Sequence, residues 1–293
     1  MKKNSLPLWV TIDSDKPSAS LEKFLLEVKP YGIILFARHL KSVPQVKELT
    51  SFIKKVDEDI LLGIDQEGGR VSRLSALGYK FPGAGEANEN PGFVKKTSLE
   101  MAEVLKELGF DVNFAPVVDL GRVAEGTGLE GRTYSEDKVK VKECAFAFLE
   151  GLKEFGLKGC LKHFPGLGGS IVDSHKDLPI IEGSIEERKP HLYPYEELKA
   201  DFVMVAHARY RFFSSDLPSS INEECYFLLK NLKCCDTIVT DDLSMGALKD
   251  FGTLKELVRK SQKSGADISM VVCKEEETIS IAKDLRETEI EKR

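Results

Sequence analysis

The chain has 293 residues, of which 42% are hydrophobic and 31% are charged. Its 48 acidic residues outnumber its 42 lysines and arginines, and the net charge of −6 disfavours nucleic-acid binding, which requires clustered cations. The apolar and aromatic content excludes a disordered chain and is sufficient for one large core.

The N-terminus and the cysteines both indicate a reducing compartment. The first apolar run is short and ends at Asp13, unlike a secretory signal. No stretch approaches the roughly 18 consecutive apolar residues of a membrane span. The six cysteines form no CxxC pair and are expected to be buried free thiols. We therefore expect a cytoplasmic protein, monomeric or weakly oligomeric, with no membrane or nucleic-acid partner.

Short apolar runs rich in Val, Ile and Phe alternate with amphipathic segments along the chain. The runs predict strands at 8–13, 32–37, 61–66, 111–120, 159–164, 201–208, 236–243 and 266–273. The amphipathic segments predict helices at 20–29, 44–56, 93–109, 137–156, 222–232 and 253–264. The charged segment 284–293 is predicted to be a helix end or a tail.

Near-continuous apolar strands are typical of a parallel sheet that is covered on both faces. Eight such β/α units in 293 residues favour a slightly irregular (β/α)8 barrel of the TIM type, in the α/β class. An open doubly wound sheet is the alternative. Because no linker rich in Pro, Gly or Ser divides the chain, we expect residues 1–293 to form a single barrel domain.

Polar residues directly follow five of the predicted strands. In a parallel barrel the carboxyl ends of the strands meet at one face, so these residues predict a polar pocket. Asp65, Glu67 and Arg73 follow the third strand, where Gly68 and Gly69 allow a sharp turn. Carboxylates and guanidinium groups together suit a ligand rich in hydroxyl groups. The alternative is a salt-bridge cluster that closes the barrel rim.

The fifth predicted strand ends in Lys162 and His163, and a glycine-rich loop then leads to Asp173 and His175. Two residues apart in an extended loop, these last two side chains can point to the same side. A neighbouring carboxylate raises the pKa of a histidine and fixes its tautomer, which makes it a usable general acid or base. The alternative is an exposed loop without a catalytic role.

Asp241 and Asp242 end the seventh predicted strand. An ionised carboxylate at a strand tip can attack an electrophilic carbon. Because side chains alternate along a strand, we expect one aspartate to face the barrel mouth and the other to cap the following helix. Asp119, which ends the fourth strand, is expected to pair with Arg122 or Arg132.

Four other residues are given mainly structural roles. His39 and His191 are expected at the surface or at helix caps. His207, at the end of the sixth strand, is expected to line the pocket or to bond a neighbour. Trp9 is expected to pack at the bottom of the barrel.

The segments IDQEGGRVSRL, NFAPVVDL, KHFPGLGGSIVDSH and VTDDLSM, in this order and spacing, resemble glycoside hydrolase family 3. More narrowly, they resemble its single-domain bacterial β-N-acetylglucosaminidases of the peptidoglycan-recycling type. The resemblance implies a retaining mechanism in which Asp241 is the nucleophile. It further implies that His175 is the acid/base and that Asp173 orients it.

The same resemblance implies which residues hold the N-acetylglucosamine ring, namely Asp65, Arg73, Arg132, Lys162 and His163. The implied reaction is exo-acting removal of terminal N-acetylglucosamine from fragments such as N-acetylglucosaminyl-1,6-anhydro-N-acetylmuramoyl peptides, in cell-wall recycling and without a cofactor or metal. A phosphorylase or a β-glucosidase of the same family is the alternative. The sequence departs from the family pattern at Leu167, where relatives often have histidine.

Two other classes of protein are compatible with the residues. A metal-dependent barrel hydrolase would use three histidines, His163, His175 and His207, together with Asp241. HxH or HExxH spacing is absent, however, which argues against this class. A non-catalytic sugar-binding protein would have no use for a nucleophile beside a proton carrier.

Overall fold

The computed structural model describes residues 5–121, 127–169 and 177–291. Within these residues, eight parallel strands close into a barrel, each bonded to the next in chain order and the last to the first. The strands are β1 (Leu6–Val10), β2 (Pro30–Leu35), β3 (Leu61–Ile64), β4 (Val112–Asn113), β5 (Lys158–Phe164), β6 (Ala200–Val205), β7 (Cys235–Asp242) and β8 (Ile268–Val271). The predicted (β/α)8 barrel is therefore confirmed, and the open sheet is wrong.

One α-helix follows each strand and packs on the outside of the barrel. These helices are α1 (Ala19–Val28), α2 (Val43–Val56), α3 (Pro91–Glu107), α4 (Lys138–Glu154), α5 (Ile185–Glu197), α6 (Glu223–Leu232), α7 (Leu254–Ser264) and α8 (Glu275–Glu291). None of the helices in the described part of the chain is both long and apolar enough to cross a membrane.

The helix starts are encoded locally by capping side chains. In seven helices, α1 to α7, a Ser, Thr, Asn or Asp side chain at the N-cap accepts a hydrogen bond from a backbone N–H of the first turn. Such a bond satisfies a backbone donor that has no partner within the helix. These caps fix where each helix begins after its polar loop.

Trp9 fills the barrel interior, as predicted, and has no exposed surface. Its ring packs edge-on against Phe114 and Phe202, with centroids 5.0 and 6.3 Å away. A Cβ at Gly32 would lie 2.3 Å from this ring, and one at Gly63 would lie 3.0 Å from it. The two glycines therefore provide the space that the indole occupies, inside a barrel otherwise filled by aliphatic and aromatic side chains.

The structure differs from several predictions. Helix α8 begins at Glu275, whereas only its end, in 284–293, was predicted. Helix α5 was not predicted, because Pro190 and Pro194 lie within it. The fourth strand is only two residues long, and Val117 makes a single further bridge to Lys162. His39 is buried rather than at the surface; its Nδ1 accepts from the backbone N–H at position 36, and its Nε2 lies 2.9 Å from the carbonyl oxygen at position 12.

All six cysteines lie in described residues and are free thiols, as predicted, but the predicted burial is confirmed for only four of them. Four of them are buried, and Cys235 and Cys273 are half-buried.

Replacing Gly32 with alanine is expected to destabilise the barrel. The new methyl group would overlap the Trp9 ring, and overpacking of this kind costs typically about 1–3 kcal/mol. Urea unfolding of Gly32→Ala should therefore give a lower free energy of unfolding than the wild type. Gly92→Ala, exposed on the first turn of α3, is the control and should change that free energy by less than about 1 kcal/mol. Equal stability of Gly32→Ala and the wild type would contradict this account of the interior.

Candidate active site

A cavity of about 240 Å³ opens at the carboxyl ends of the barrel strands. Every predicted site residue that the structure describes lines it: Asp65, Arg73, Arg132, Lys162, His163 and Asp241. Glu67 and Asp242 also line it, together with apolar side chains that include Phe36, Leu167, Met204 and Met270. The predicted acid/base pair, Asp173 and His175, lies outside the described residues.

A short hairpin after β3 positions Glu67 over the end of the barrel. Residues Gln66–Gly68 pair antiparallel with Val71–Ser72, and the turn between them contains Gly68 and Gly69, with φ of 94° and 54°. A side chain on Gly68 would also meet the backbone oxygen at position 82 at 2.2 Å. Glycine is therefore required at this turn, as the sequence predicted.

The base of the hairpin is tied to the fourth strand by Asn113. Its side-chain oxygen accepts from the Gln66 N–H at 3.0 Å, and its side-chain nitrogen donates to the Gln66 carbonyl oxygen at 2.8 Å. This reciprocal pair fixes the backbone between Asp65 and Glu67.

Five charged residues form a network within the cavity wall. Lys162 Nζ lies 2.7 Å from Glu67 Oε1 and 3.0 Å from Asp65 Oδ1. Arg132 meets the same Glu67 carboxylate with two parallel hydrogen bonds of 2.8 Å. Arg73 lies 3.5 Å from Asp65 and also faces the ring of Phe36 at 5.5 Å. The predicted cluster after the third strand is thus a salt-bridge network and a cavity wall at once.

Burial and ion pairing shift the pKa values of Glu67 and Lys162 in opposite directions. Burial alone raises the pKa of Glu67, but Arg132 and Lys162 outweigh it and hold that pKa well below the usual range. Burial lowers the pKa of Lys162, yet the carboxylates of Asp65 and Glu67 raise it above its ordinary value. Glu67 therefore stays anionic and Lys162 cationic, so the cavity presents fixed charges and hydrogen-bond donors to a ligand.

Lys162 and His163 are consecutive residues of β5, and both line the cavity. The register of β5 against β6 shifts between Lys162 and Phe164, which interrupts the regular alternation of side chains at this point. His163 Nδ1 lies 2.7 Å from Asp119 Oδ2. The predicted pairing of Asp119 with Arg132 is wrong, because Arg132 is occupied by Glu67. Arg122, the other predicted partner, lies outside the described residues.

The two aspartates at the end of β7 have different environments, as predicted. Asp241 Oδ1 accepts from the Asp242 N–H at 2.8 Å. Asp242 instead accepts from the N–H and hydroxyl of Ser244 and from the N–H of Val272, all within 2.9 Å. Burial raises the pKa of Asp242, and these hydrogen bonds oppose that rise. Asp242 thus holds the turn after β7 rather than capping a helix.

His207 is fully buried behind this turn. Its Nδ1 lies 2.8 Å from Ser220 Oγ, and its Nε2 lies 2.8 Å from the carbonyl oxygen of Asp242. Both ring nitrogens are therefore engaged, which removes His207 from the predicted metal-ligand set. Within residues 5–121, 127–169 and 177–291, no group of three or more His, Cys, Asp or Glu residues is arranged to hold a metal ion.

Sequence reasoning did not assign Glu67 to the ligand-binding set. It recognised the residue as part of the cluster after the third strand, but it could not tell which acid would pair with Lys162 and Arg132. Leu167, the departure from the family pattern, is buried against Leu129, Ile181 and Tyr210 beside the cavity. An apolar residue here extends an apolar cluster beside the cavity.

Two comparisons of sequence identify relatives of this chain. Residues 5–292 match the model described as the glycosyl hydrolase family 3 N-terminal domain. A beta-hexosaminidase from Haemophilus influenzae is 32% identical over 272 residues, which is 88% of this chain and 77% of that protein. A beta-hexosaminidase from Pseudomonas aeruginosa is 32% identical over 248 residues, or 82% of this chain and 74% of the relative.

Comparison with solved structures also identifies relatives of this chain. NagZ from Neisseria gonorrhoeae, in complex with N-trifluoroacetyl-D-glucosamine, is 27% identical with a TM-score of 0.84, covering 97% of this chain and 85% of that one. A glycoside hydrolase family 3 β-N-acetylglucosaminidase from Paenibacillus has a TM-score of 0.88 at 27% identity. It aligns with 95% of this chain, which spans only 55% of its length. From the near-complete match to the family model and the shared barrel, this chain belongs to glycosyl hydrolase family 3.

Proposed function

We propose that this protein is a retaining, exo-acting β-N-acetylglucosaminidase that uses Asp241 as nucleophile and His175 as acid/base. The proposal is supported most directly by one observation: Asp241 shares a cavity with a paired set of charged residues that suits a sugar. The beta-hexosaminidases among its relatives support the choice of an N-acetylhexosamine.

The reaction proceeds in two steps, each of which inverts the configuration of the anomeric carbon. Asp241 attacks the anomeric carbon to form a glycosyl-enzyme ester, while protonated His175 donates its proton to the departing glycosidic oxygen. Neutral His175, held by Asp173, then removes a proton from water as that water attacks the same carbon and releases Asp241. The second attack restores the original anomeric configuration.

The charged wall binds the sugar during both steps. Asp65 accepts hydrogen bonds from ring hydroxyl groups, while Lys162 and Arg73 donate to their oxygens. Arg132 and His163 provide the remaining contacts to the sugar. Because the charges of Lys162 and Arg132 are already neutralised by Glu67 and Asp65, the wall binds a neutral sugar without requiring an anionic ligand.

We propose the cytoplasm as the compartment and fragments of peptidoglycan as the substrates. Six free thiols are the cysteine state expected where disulfides do not persist. N-acetylglucosaminyl-1,6-anhydro-N-acetylmuramoyl peptides carry the terminal sugar that the cavity is proposed to take. Recycling of the cell wall would supply them.

Asp241→Asn is expected to abolish hydrolysis of 4-nitrophenyl N-acetyl-β-glucosaminide. The amide cannot form the ester intermediate, and loss of a nucleophile costs on the order of 10⁴-fold or more in kcat. The control is Asp236→Asn, which removes an exposed carboxylate at the opposite end of the same strand and should keep full activity. Wild-type turnover by Asp241→Asn would reject the nucleophile.

The loss of activity in His175→Ala is expected to depend on the leaving group of the substrate. A sugar or alkoxide leaving group needs protonation, so its cleavage should fall by about 10²–10⁴-fold. An activated dinitrophenyl group leaves without a proton, so its release should fall far less. Kinetics on the two substrates with the same enzyme preparation measure the difference, and equal losses would contradict acid catalysis by His175.

A family 3 phosphorylase is the second candidate, because a histidine acid/base does not repel an incoming phosphate dianion as a carboxylate would. We expect hydrolysis: the rate should not depend on phosphate, and the product should be free N-acetylglucosamine. Assays with and without inorganic phosphate, with the sugar product identified by mass spectrometry, decide between the two. Formation of a sugar 1-phosphate would show the phosphorylase instead. The same assay with a β-glucoside tests the β-glucosidase alternative.

A further inference from the structure

Asp119 is a buried carboxylate that contacts His163 of the cavity wall and the chain leading away from β5. It has no exposed surface. Its Oδ2 lies 2.7 Å from His163 Nδ1 and accepts from the His163 N–H at 3.3 Å. Its Oδ1 accepts from the Leu167 N–H at 2.6 Å. One side chain therefore binds an imidazole of the cavity wall and a backbone group four residues further on.

These contacts determine which nitrogen of His163 carries the hydrogen. An ionised carboxylate only accepts hydrogen bonds, so Nδ1 must be the donor toward Asp119. On the other side of the ring, Nε2 lies 3.4 Å from Arg132 Nη2, and a guanidinium only donates. Both neighbours thus favour the Nδ1–H tautomer, in which Nε2 has a lone pair on the side of the cavity.

The second contact of Asp119 is with residues 166–168, a short backbone segment after β5 that we call the stem. Arg188 of α5 donates to the carbonyl oxygens of Gly166 and Gly168 at 2.7 and 2.9 Å. The Tyr210 hydroxyl donates to the Gly166 oxygen at 3.1 Å. Asp119 holds Leu167 between these two carbonyl groups. The backbone of the stem is therefore bound from α5, from Tyr210 after β6, and from Asp119 in the segment after β4.

We propose that Asp119 is a positioning residue: it keeps Nε2 of His163 as a hydrogen-bond acceptor toward Arg132, and it fixes the stem at Leu167. Nε2 has one lone pair, and its neighbour is Arg132 Nη2 at 3.4 Å. An accepting Nε2 on His163 therefore helps to orient the guanidinium that lines the cavity beside it. The consequence for catalysis rests on the proposed glycosidase function, whereas the tautomer does not.

Replacing Asp119 by asparagine should move the ring hydrogen of His163 from Nδ1 to Nε2. The backbone N–H groups of Leu167 and His163 both remain donors, and asparagine has one amide oxygen to accept from them. We expect the closer donor, Leu167 at 2.6 Å against 3.3 Å for His163, to retain that oxygen. The amide NH₂ then faces His163 Nδ1, which must accept and so moves the hydrogen to Nε2. The new Nε2–H would point at the Arg132 donor, and this clash of two donors would displace the guanidinium from its place in the cavity wall. The variant therefore changes the direction of hydrogen bonding without changing the shape of the side chain.

Nitrogen NMR of the protein labelled with ¹⁵N-histidine tests the proposal. The chain has 5 histidines, and the spectrum of His163→Gln identifies the His163 signals. At a pH well above the ordinary imidazole pKa, we expect the wild type to show the Nδ1–H tautomer and Asp119→Asn to show Nε2–H. An Nε2–H tautomer in the wild type overturns the proposal, and so does an unchanged His163 spectrum in a folded variant. If the variant does not fold, the wild-type spectrum alone decides.

Kinetics with the same variant separate positioning from stability. We expect kcat/KM for the N-acetylglucosaminide to fall by about 10–100-fold, the size of effect seen when a group that orients a functional histidine is lost, mainly through KM. Asp111→Asn is the matched control, since Asp111 accepts from the Leu62 N–H near the start of the fourth strand, away from the cavity. It should leave KM and the His163 spectrum unchanged. If the wild type lacks activity, the glycosidase function fails while the tautomer result stands.

Discussion

The pairing of Lys162 with Glu67 and Asp65 is the interaction on which the rest of the site depends. The Lys162 side chain is only 3% exposed, and a buried ammonium without partners would cost several kcal/mol. Its partners come from the hairpin after β3, while Lys162 lies on β5, so the pairing holds two parts of the barrel rim together. Because Glu67 also binds Arg132 through both oxygens, the loop before α4 is attached to the same carboxylate. The charges thus fix the shape of the cavity before any ligand enters.

This arrangement separates binding from chemistry. The charged wall is rigid and its groups are already paired, so a sugar can be bound without reorganising the protein. Asp241 lies on another strand, where the Asp242 N–H supports its carboxylate and Asp242 itself anchors the following turn. The proposed acid/base, His175, belongs to the part of the sequence that follows the stem at residues 166–168. In this account the barrel supplies binding and the nucleophile, and the segment after the stem supplies the proton.

The sequence predicted most of the fold because each strand is an apolar run that ends in polar residues. It did not predict α5, since Pro190 and Pro194 disrupt the helical pattern and the helix is held by tertiary contacts such as those of Arg188. The residues around the cavity were predicted because parallel strands end at one face. The ion pairs among these residues were not predicted, because spacing in sequence cannot show that Arg132 binds Glu67 rather than Asp119. Such pairings depend on distances between strands that only the folded barrel defines.

The central claim is that Asp241 forms a covalent bond to the sugar, and trapping that intermediate tests it most directly. A ring-fluorinated N-acetylglucosaminyl fluoride slows both steps by destabilising the positive charge of the transition state, while its good leaving group lets the first step proceed. Mass spectrometry of the treated protein is predicted to show one added N-acetyl-fluoroglucosaminyl group, and peptide mapping should locate it on Asp241. A label on any other residue, or turnover of the donor to the inverted sugar without a label, would contradict the account.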